Sequence, residues 1–265
     1  MPLTIASVNV NGIRAAQRRG MSDWLSSLQP DVLLLQEVRA DTETTQAVLG
    51  DGMSLVQETG GAKGRAGVAV ASTLPLTAER TEFGQGRFAD AGRFAAATVE
   101  SPDKTPVVAC STYVHTGEAT DPVRMEEKLT FLDAINDQIE EYLAGGREVI
   151  IAGDFNVARD ERDIKNWKGN RGKSGFLPEE QARLDALCDL GMVDLGREHA
   201  GDVPGPYTWW SWRGRAYDND AGWRIDYLFV SRALAAKVTA VQVDRAPSYA
   251  TRWSDHCPVV ASFDV

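Results

Sequence analysis

Histidine and cysteine are both scarce, with three of each among 265 residues. Cys110, Cys188 and Cys257 are odd in number and lack metal-ligand spacing. Neither a zinc site nor a disulfide framework is expected, and buried reduced thiols are the plain reading. His115, His199 and His256 are too dispersed to form a His-rich metal site. No apolar run approaches the length of a bilayer span. Met1-Pro2-Leu3-Thr4-Ile5 leads directly into a strand-like run, without the basic segment and apolar core of a secretory signal, so a cytoplasmic protein with no membrane partner is expected. Linkers rich in proline or serine, low-complexity tracts and strong short repeats are also missing. With 43% hydrophobic and 25% charged residues, residues 1–265 fit one large domain or two small ones and are enough to bury a substantial core.

A basic excess is missing too. Lysine and arginine number 28 against 38 acids, a formal net charge of −10, which argues mildly against a polyanion partner. Local distribution leaves the question open. Arg159, Arg162, Lys165, Lys168, Arg171 and Lys173 crowd one loop-like stretch, and Arg213, Arg215 and Arg224 form a second group. An acidic site holding a cation would account for part of the negative excess.

Short runs rich in Val and Ile recur at residues 4–8, 32–35, 67–71, 94–99, 107–110, 149–152, 225–230 and 258–263. Their length and their Gly, Pro, Asp or Asn borders predict strands. Asp121-Pro122 predicts a helix start, followed by Met125, Leu129, Leu132, Ile135, Ile139 and Leu143 on one face and a stop at Gly145-Gly146. A second helix is predicted from Pro178 to Gly191, with Leu184 and Leu187 inward, and a third over residues 12–28. The chain is therefore α/β, with more strands than simple alternation needs. Two sheets packed face to face with helices outside satisfy the count. Residues 154–176 form the longest stretch without apolar periodicity, and loops of that length inside compact domains are usually functional or disordered.

Polar residues repeatedly close the apolar strands: Asn9 and Asn11 the first, Glu37 the second, Tyr113 and Asp154 two later ones. Singly, each reads as a cap or a turn residue; together they point to one crevice at the strand ends. In Gly153-Asp154-Phe155-Asn156, glycine permits close backbone approach, and Asp and Asn two apart on an extended segment share a side. A carboxylate that can orient or deprotonate water beside an amide that can donate to an oxyanion suits phosphoester attack. Ser254-Asp255-His256 precedes the last strand, and Arg224-Ile225-Asp226-Tyr227 brings another acid to a strand start. A carboxylate bonded to imidazole fixes the tautomer and supports the protonated ring. Oxygen ligands such as Glu37, Asn11 and Asp255 point to a hard cation, Mg²⁺ or Mn²⁺.

Asn9-Val10-Asn11-Gly12-Ile13-Arg14-Ala15, Leu35-Gln36-Glu37, Gly153-Asp154-Phe155-Asn156, Arg224-Ile225-Asp226 and Ser254-Asp255-His256 occur in an order that resembles the endonuclease/exonuclease/phosphatase superfamily. Ser174-Gly175-Phe176-Leu177-Pro178-Glu179-Glu180, Tyr207-Thr208-Trp209-Trp210 and Gly222-Trp223-Arg224-Ile225-Asp226 resemble the exonuclease III branch with its AP endonucleases. The resemblance covers residues 5–263. It implies a four-layer α/β sandwich, two packed mixed sheets flanked by helices. The implied activity is Mg²⁺-dependent cleavage of duplex DNA 5′ to abasic sites, with 3′→5′ exonuclease or 3′-end cleaning at the same site, by a monomer.

The resemblance also implies roles. Asn9 and Glu37 form the metal corner, with Asn11 and Asp255 as further ligands, direct or through water. Asp154 positions the attacking water and is a candidate for its base, an identity that the resemblance does not settle. Asn156 holds a phosphate oxygen, and His256, oriented by Asp226, stabilises the pentavalent transition state. Tyr113 contacts the phosphate or assists the leaving group. Trp209, Trp210 and Trp223 are candidates for a pocket that admits a flipped-out abasic sugar, with core packing the alternative. Arg159, Lys165, Lys168, Arg171 and Lys173 are expected on the DNA backbone, with a solvated loop the alternative. His115, in the loop after Tyr113 where relatives often read differently, is expected to fill the turn, with a phosphate contact the alternative. The rival readings are a superfamily phosphoesterase for RNA, inositol phosphates or lipids, and a catalytically inert DNA-binding relative.

Overall fold

The structure is a computed structural model that describes residues 2–62, 64–79 and 83–265. Its strands are β1 (Pro2–Asn9), β2 (Val32–Gln36), β3 (Ser54–Glu58), β4 (Val68–Ser72), β5 (Leu76–Ala78), β6 (Phe94–Glu100), β7 (Pro106–Tyr113), β8 (Glu148–Asp154), β9 (Met192–Asp194), β10 (Asp226–Ser231), β11 (Val238–Val243) and β12 (Val259–Asp264). They form two six-stranded sheets, ordered β11-β12-β1-β2-β4-β3 and β5-β6-β7-β8-β10-β9. Both sheets are mixed, since β1/β2 and β7/β8 run parallel among antiparallel neighbours. The helices are α1 (Ile13–Arg18), α2 (Met21–Leu28), α3 (Thr42–Leu49), α4 (Pro122–Ala144), α5 (Trp167–Asn170), α6 (Pro178–Asp189), α7 (Leu195–Ala200) and α8 (Arg232–Ala235).

Strand alternation builds the layers. On β1 and β2, Leu3, Ile5, Val32 and Leu34 face Ala95, Ala109, Ile150 and Leu228 of the other sheet. The intervening Ala6, Val8, Leu33 and Leu35 turn outward onto Ile13, Ala16 and Met21 of α1 and α2. The second sheet repeats the pattern, with Val108, Cys110, Ile151 and Phe229 packing on Phe131, Ile135, Ile139, Leu184 and Leu187 of α4 and α6. Period-two alternation with both faces covered is what makes these central strands read as continuous apolar runs. The four-layer sandwich expected from the sequence is the fold observed. Among the described residues no helix is long and apolar enough to cross a membrane.

The α4 boundaries match their signals. Asp121 caps the helix by accepting from Val123 N and Arg124 N, Pro122 opens it, and it ends before Gly145. The single helix expected over residues 12–28 is instead α1 and α2, broken at Arg19 and Gly20. With the break, the two short helices bury Ile13, Ala16 and Met21 in one cluster against the sheet.

Candidate active site

Strand direction and register bring the polar strand ends to one edge of the sandwich. Asp154, at the end of β8, lies opposite Tyr113 at the end of parallel β7 and opposite Asp226 at the start of antiparallel β10. In the facing sheet Asn9 ends β1, and Glu37 follows β2. The sheets are tied beneath this edge by Gln36, whose Nε2 donates to Ser7 Oγ at 3.2 Å and Ser111 Oγ at 3.0 Å. Gly153 has φ 149°, and a Cβ there would lie 1.9 Å from Thr112 O, so only glycine lets β7 and β8 approach so closely beside Asp154.

Three polar residues at this edge, Asn11, Glu37 and Asn156, have φ of 46°, 48° and 51°. Left-handed backbone at non-glycine residues is costly and concentrates at functional sites. It also corrects one expectation. Asp154 and Asn156 do not share an extended segment, because the chain turns at Asn156. Asn156 N then donates back to Asp154 Oδ1 at 2.9 Å, and its Nδ2 donates to Val114 O at 3.0 Å and Asp154 Oδ2 at 3.2 Å. The two side chains converge through this turn rather than through strand alternation.

Asn9 joins the acids across the sheets. Its Nδ2 donates to Glu37 Oε1 at 2.8 Å and Asp154 Oδ2 at 2.9 Å, while its Oδ1 accepts from Asn11 N at 2.9 Å. Asn11 Nδ2 donates to Asp255 Oδ1 at 2.8 Å, and Trp209 Nε1 donates to Asp255 Oδ2 at 3.2 Å. His256 Nδ1 sits 3.0 and 2.9 Å from the two oxygens of Asp226. Its Nε2 lies 3.8 Å from Asp154 Oδ2, a gap too wide for a direct hydrogen bond. Burial works against a charged His256, but Asp226 and Asp154 outweigh it and raise its pKa to about 10. Asp154 is raised to about 7, first by burial and then by the charges of Asp226 and Glu37, against the pull of His256. The Tyr113 phenol is raised well above its ordinary value by burial and by the charges of Glu37 and Asp154, so it stands as a proton donor at neutral pH. Arg93 lies over its ring at 4.4 Å.

Asn11, Glu37, Tyr113, Asp154, Asn156, Asp255 and His256 line a pocket of about 340 Å³, together with Arg39, Thr116, Ser174, Gly175, Trp209, Trp223 and Ile225. Asn9 and Asp226 are buried outside that lining and act on it through their partners. Trp209 and Trp223 bridge each other and meet edge to face, centroids 6.4 Å apart. Trp210 does not reach this pocket. It is 1% exposed, packs on Tyr217 and lies under Arg245 in a separate cluster. Neighbours on an extended segment point to opposite faces, so only one of the pair can face the site.

The basic loop divides in the same way. Lys165, Lys168, Arg171 and Lys173 are exposed, on a segment tied to the pocket through Lys165 N to Gly222 O and the Ile164–Trp223 bridge. Arg159 instead turns onto α6, where its Nε donates to Asp185 Oδ1 at 2.7 Å, and it lies half-buried. Arg171 also has an acid partner, Glu161 at 3.3 Å, but stays exposed, so the two arginines differ in burial. His115 packs edge to face on Phe131 at 5.4 Å, and burial lowers its pKa to about 4.

The sequence profile of the Endonuclease/Exonuclease/phosphatase family matches residues 6–256. The chain belongs to this family. It is 31% identical to an exodeoxyribonuclease of Bacillus subtilis, over 97% of this chain and 98% of that protein. It is equally 31% identical to a Danio rerio protein named DNA repair nuclease APEX1, over 97% of this chain and 81% of that protein. An AP endonuclease from Archaeoglobus fulgidus superposes with a TM-score of 0.85 at 28% identity, covering 99% of this chain and 100% of the other.

Within this family fold, the donor set fits a hard divalent cation. Glu37, Asp154 and His256 offer ligand atoms within 4.8 Å of one another. With His256 held protonated by Asp226, the donors left are oxygens of Glu37, Asp154, Asp255 and the two asparagines, and oxygen donors select hard ions.

Sequence reasoning missed Arg39, Arg93 and Ile225. Arg39 lines the pocket and pairs with Glu37. Its position two residues after Glu37 was a usable signal. Arg93 reaches Tyr113 from the segment entering β6, across the sheet, and no local pattern announces that contact.

Proposed function

We propose that this protein is a Mg²⁺-dependent DNA-repair phosphodiesterase that hydrolyses duplex DNA 5′ to an abasic site and leaves a 3′-hydroxyl. Mn²⁺ would substitute, and 3′→5′ exonuclease and 3′-end cleaning would use the same site, in a monomer. The observation that carries this reading is the sharing of one pocket by Trp209, Trp223 and Ile225 with Asp154, Asn156 and His256. A deoxyribose without a base can enter a small apolar notch. An intact nucleotide would clash there and must also surrender stacking, at roughly a few kcal/mol.

The contacts support the following roles. Asp154 orients the attacking water and takes its proton as the water oxygen bonds to phosphorus and the P–O3′ bond breaks. Asn156, held in its turn by Asp154 and Val114, directs an amide donor at a non-bridging oxygen. His256 is fixed at Nδ1 by Asp226, which leaves Nε2–H for the charge that develops on the pentavalent phosphorus. Tyr113 donates to the phosphate or to the departing oxygen. Glu37 and Asn9, with Asn11 and Asp255, would hold the cation, which when bound supplies Lewis acidity worth several kcal/mol, roughly. Lys165, Lys168, Arg171 and Lys173 would meet the DNA backbone.

The test is a panel of substrates under one set of conditions: a duplex with one abasic analogue, the same duplex undamaged, a 3′-blocked duplex, RNA and an inositol phosphate. Incision of the abasic duplex well above the others is expected. Faster turnover of RNA or the inositol phosphate would overturn the assignment.

A further inference from the structure

The long helix α4 carries a lysine where its inward face should be apolar. Lys128 is 0% exposed and is paired at 2.5 Å with Glu180 of α6, which is also 0% exposed. Burying an ion pair rarely adds net stability, because desolvation offsets the attraction. What distinguishes this pair is where its remaining bonds go. Lys128 Nζ donates to Asn156 O at 2.8 Å and to Thr116 O at 3.1 Å. Glu180 accepts from Gly175 N at 2.7 Å and Leu177 N at 3.0 Å. Ser174 Oγ donates to Thr116 O at 2.5 Å and closes the set.

Thr116, Asn156, Ser174 and Gly175 all line the pocket. They belong to three separate loops: the one after β7, the one after β8, and the one entering α6. The pair is therefore the common anchor beneath one wall of the site. It holds the carbonyl of Asn156, whose φ of 51° is a conformation that neighbouring structure must impose. It also sets Gly175, where a Cβ would lie 3.0 Å from Asn156 O and 3.2 Å from Trp223 Cζ3. Asn156 and Trp223 are thus packed through a glycine with no room to spare, and both depend on the same buried charges.

We propose that Lys128 and Glu180 are positioning residues for the reaction. They fix the Asn156 amide and the Gly175–Trp223 wall relative to Asp154, without touching substrate. This rests on the phosphodiesterase reading above. Displacing a reacting or stabilising group by about 1 Å can lower turnover on the order of 10²-fold.

Lys128→Met and the double variant Lys128→Met/Glu180→Gln separate positioning from stability. The single variant keeps the stem but leaves a carboxylate without its cation, so its melting temperature should fall. The double variant removes both charges, and the Gln oxygen still accepts from Gly175 and Leu177, so melting should recover. No group then reaches Asn156 O, so kcat should stay depressed, about 10- to 100-fold, in both variants, with KM changed less than about threefold. Leu187→Ala, in the core two turns along α6, serves as a destabilised control with normal kcat. A kcat that recovers along with the melting temperature, or that never falls, overturns the proposal. A wild type that leaves the abasic duplex intact overturns the underlying reading instead, and the same comparison is then made on the phosphodiester it does hydrolyse.

Discussion

Asp226→Asn changes one oxygen for an amino group and almost nothing else. Asp226 N donates to Thr208 Oγ1 at 3.1 Å, so β10 should begin in the same place, and the side-chain volume is unchanged. Both carboxylate oxygens of Asp226 serve one partner, His256 Nδ1. In the variant the amide oxygen can accept from Nδ1–H, which keeps the ring oriented but removes the charge that supports imidazolium. Alternatively the amino group can donate to Nδ1, which leaves the ring neutral. Either arrangement withdraws the first of the influences that raise His256, while the burial that opposes its charge remains. Loss of one positioned acid–base group costs on the order of 10²–10⁴-fold, and 10³-fold corresponds to about 4 kcal/mol of transition-state stabilisation. Single-turnover incision of an abasic duplex reads this directly, with melting temperature as the check on folding. Because the two residues act through one contact, Asp226→Asn/His256→Asn should be little slower than His256→Asn alone. Full additivity of the two losses, or an Asp226→Asn rate within about threefold of wild type, would refute the coupling.

Glu37→Gln keeps shape but removes one charge from the oxygen cluster, so it should raise the Mg²⁺ concentration needed for half-maximal rate and lower kcat; undiminished turnover of wild type in excess chelator would remove the metal from the account. Replacing Lys165, Lys168 and Arg171 with Ala should weaken duplex binding and reduce the log–log salt slope by roughly one unit for each phosphate left without its cation, whereas an unchanged slope would make them a solvated loop. Trp223→Ala should lower kcat/KM on the abasic duplex far more than on a generic phosphodiester and relax discrimination against undamaged DNA. Trp210→Ala, at a core position, should lower the melting temperature instead, by a destabilisation of about 3–5 kcal/mol, and equal losses on both substrates for Trp223→Ala would make it a core residue as well.

The strands that the sequence reveals are those buried on both faces. The five residues of β2, Val32–Gln36, are buried throughout, and such runs need no partner to be recognised. The edge strands β3, β5, β9 and β11 passed unseen, because β5 and β9 have three residues each and β11 is buried nowhere along its length. The site was legible where chemistry sits on strand ends. Asp154 and Asp226 stood out only as members of a set of polar strand ends, and register then placed them side by side. Contacts made over long separations were not legible. Nothing near Arg159 in the sequence announced Asp185 of α6 beside it, and Lys128 sat unnoticed in a helical pattern because its partners come from loops 12 and 28 residues away. The net charge of −10 was a poor guide for the same reason. It sums an acidic cluster and a basic loop that the fold keeps as separate surfaces.

The most direct test of the central claim is incision of a duplex carrying a single abasic analogue, with product ends identified, beside resection of the same undamaged duplex at equal enzyme and Mg²⁺. The account predicts a single cut 5′ to the abasic position, a 3′-hydroxyl on the upstream fragment, and a kcat/KM well above that on undamaged DNA. Equal rates on the two duplexes, or a cut on the 3′ side of the lesion, would contradict it.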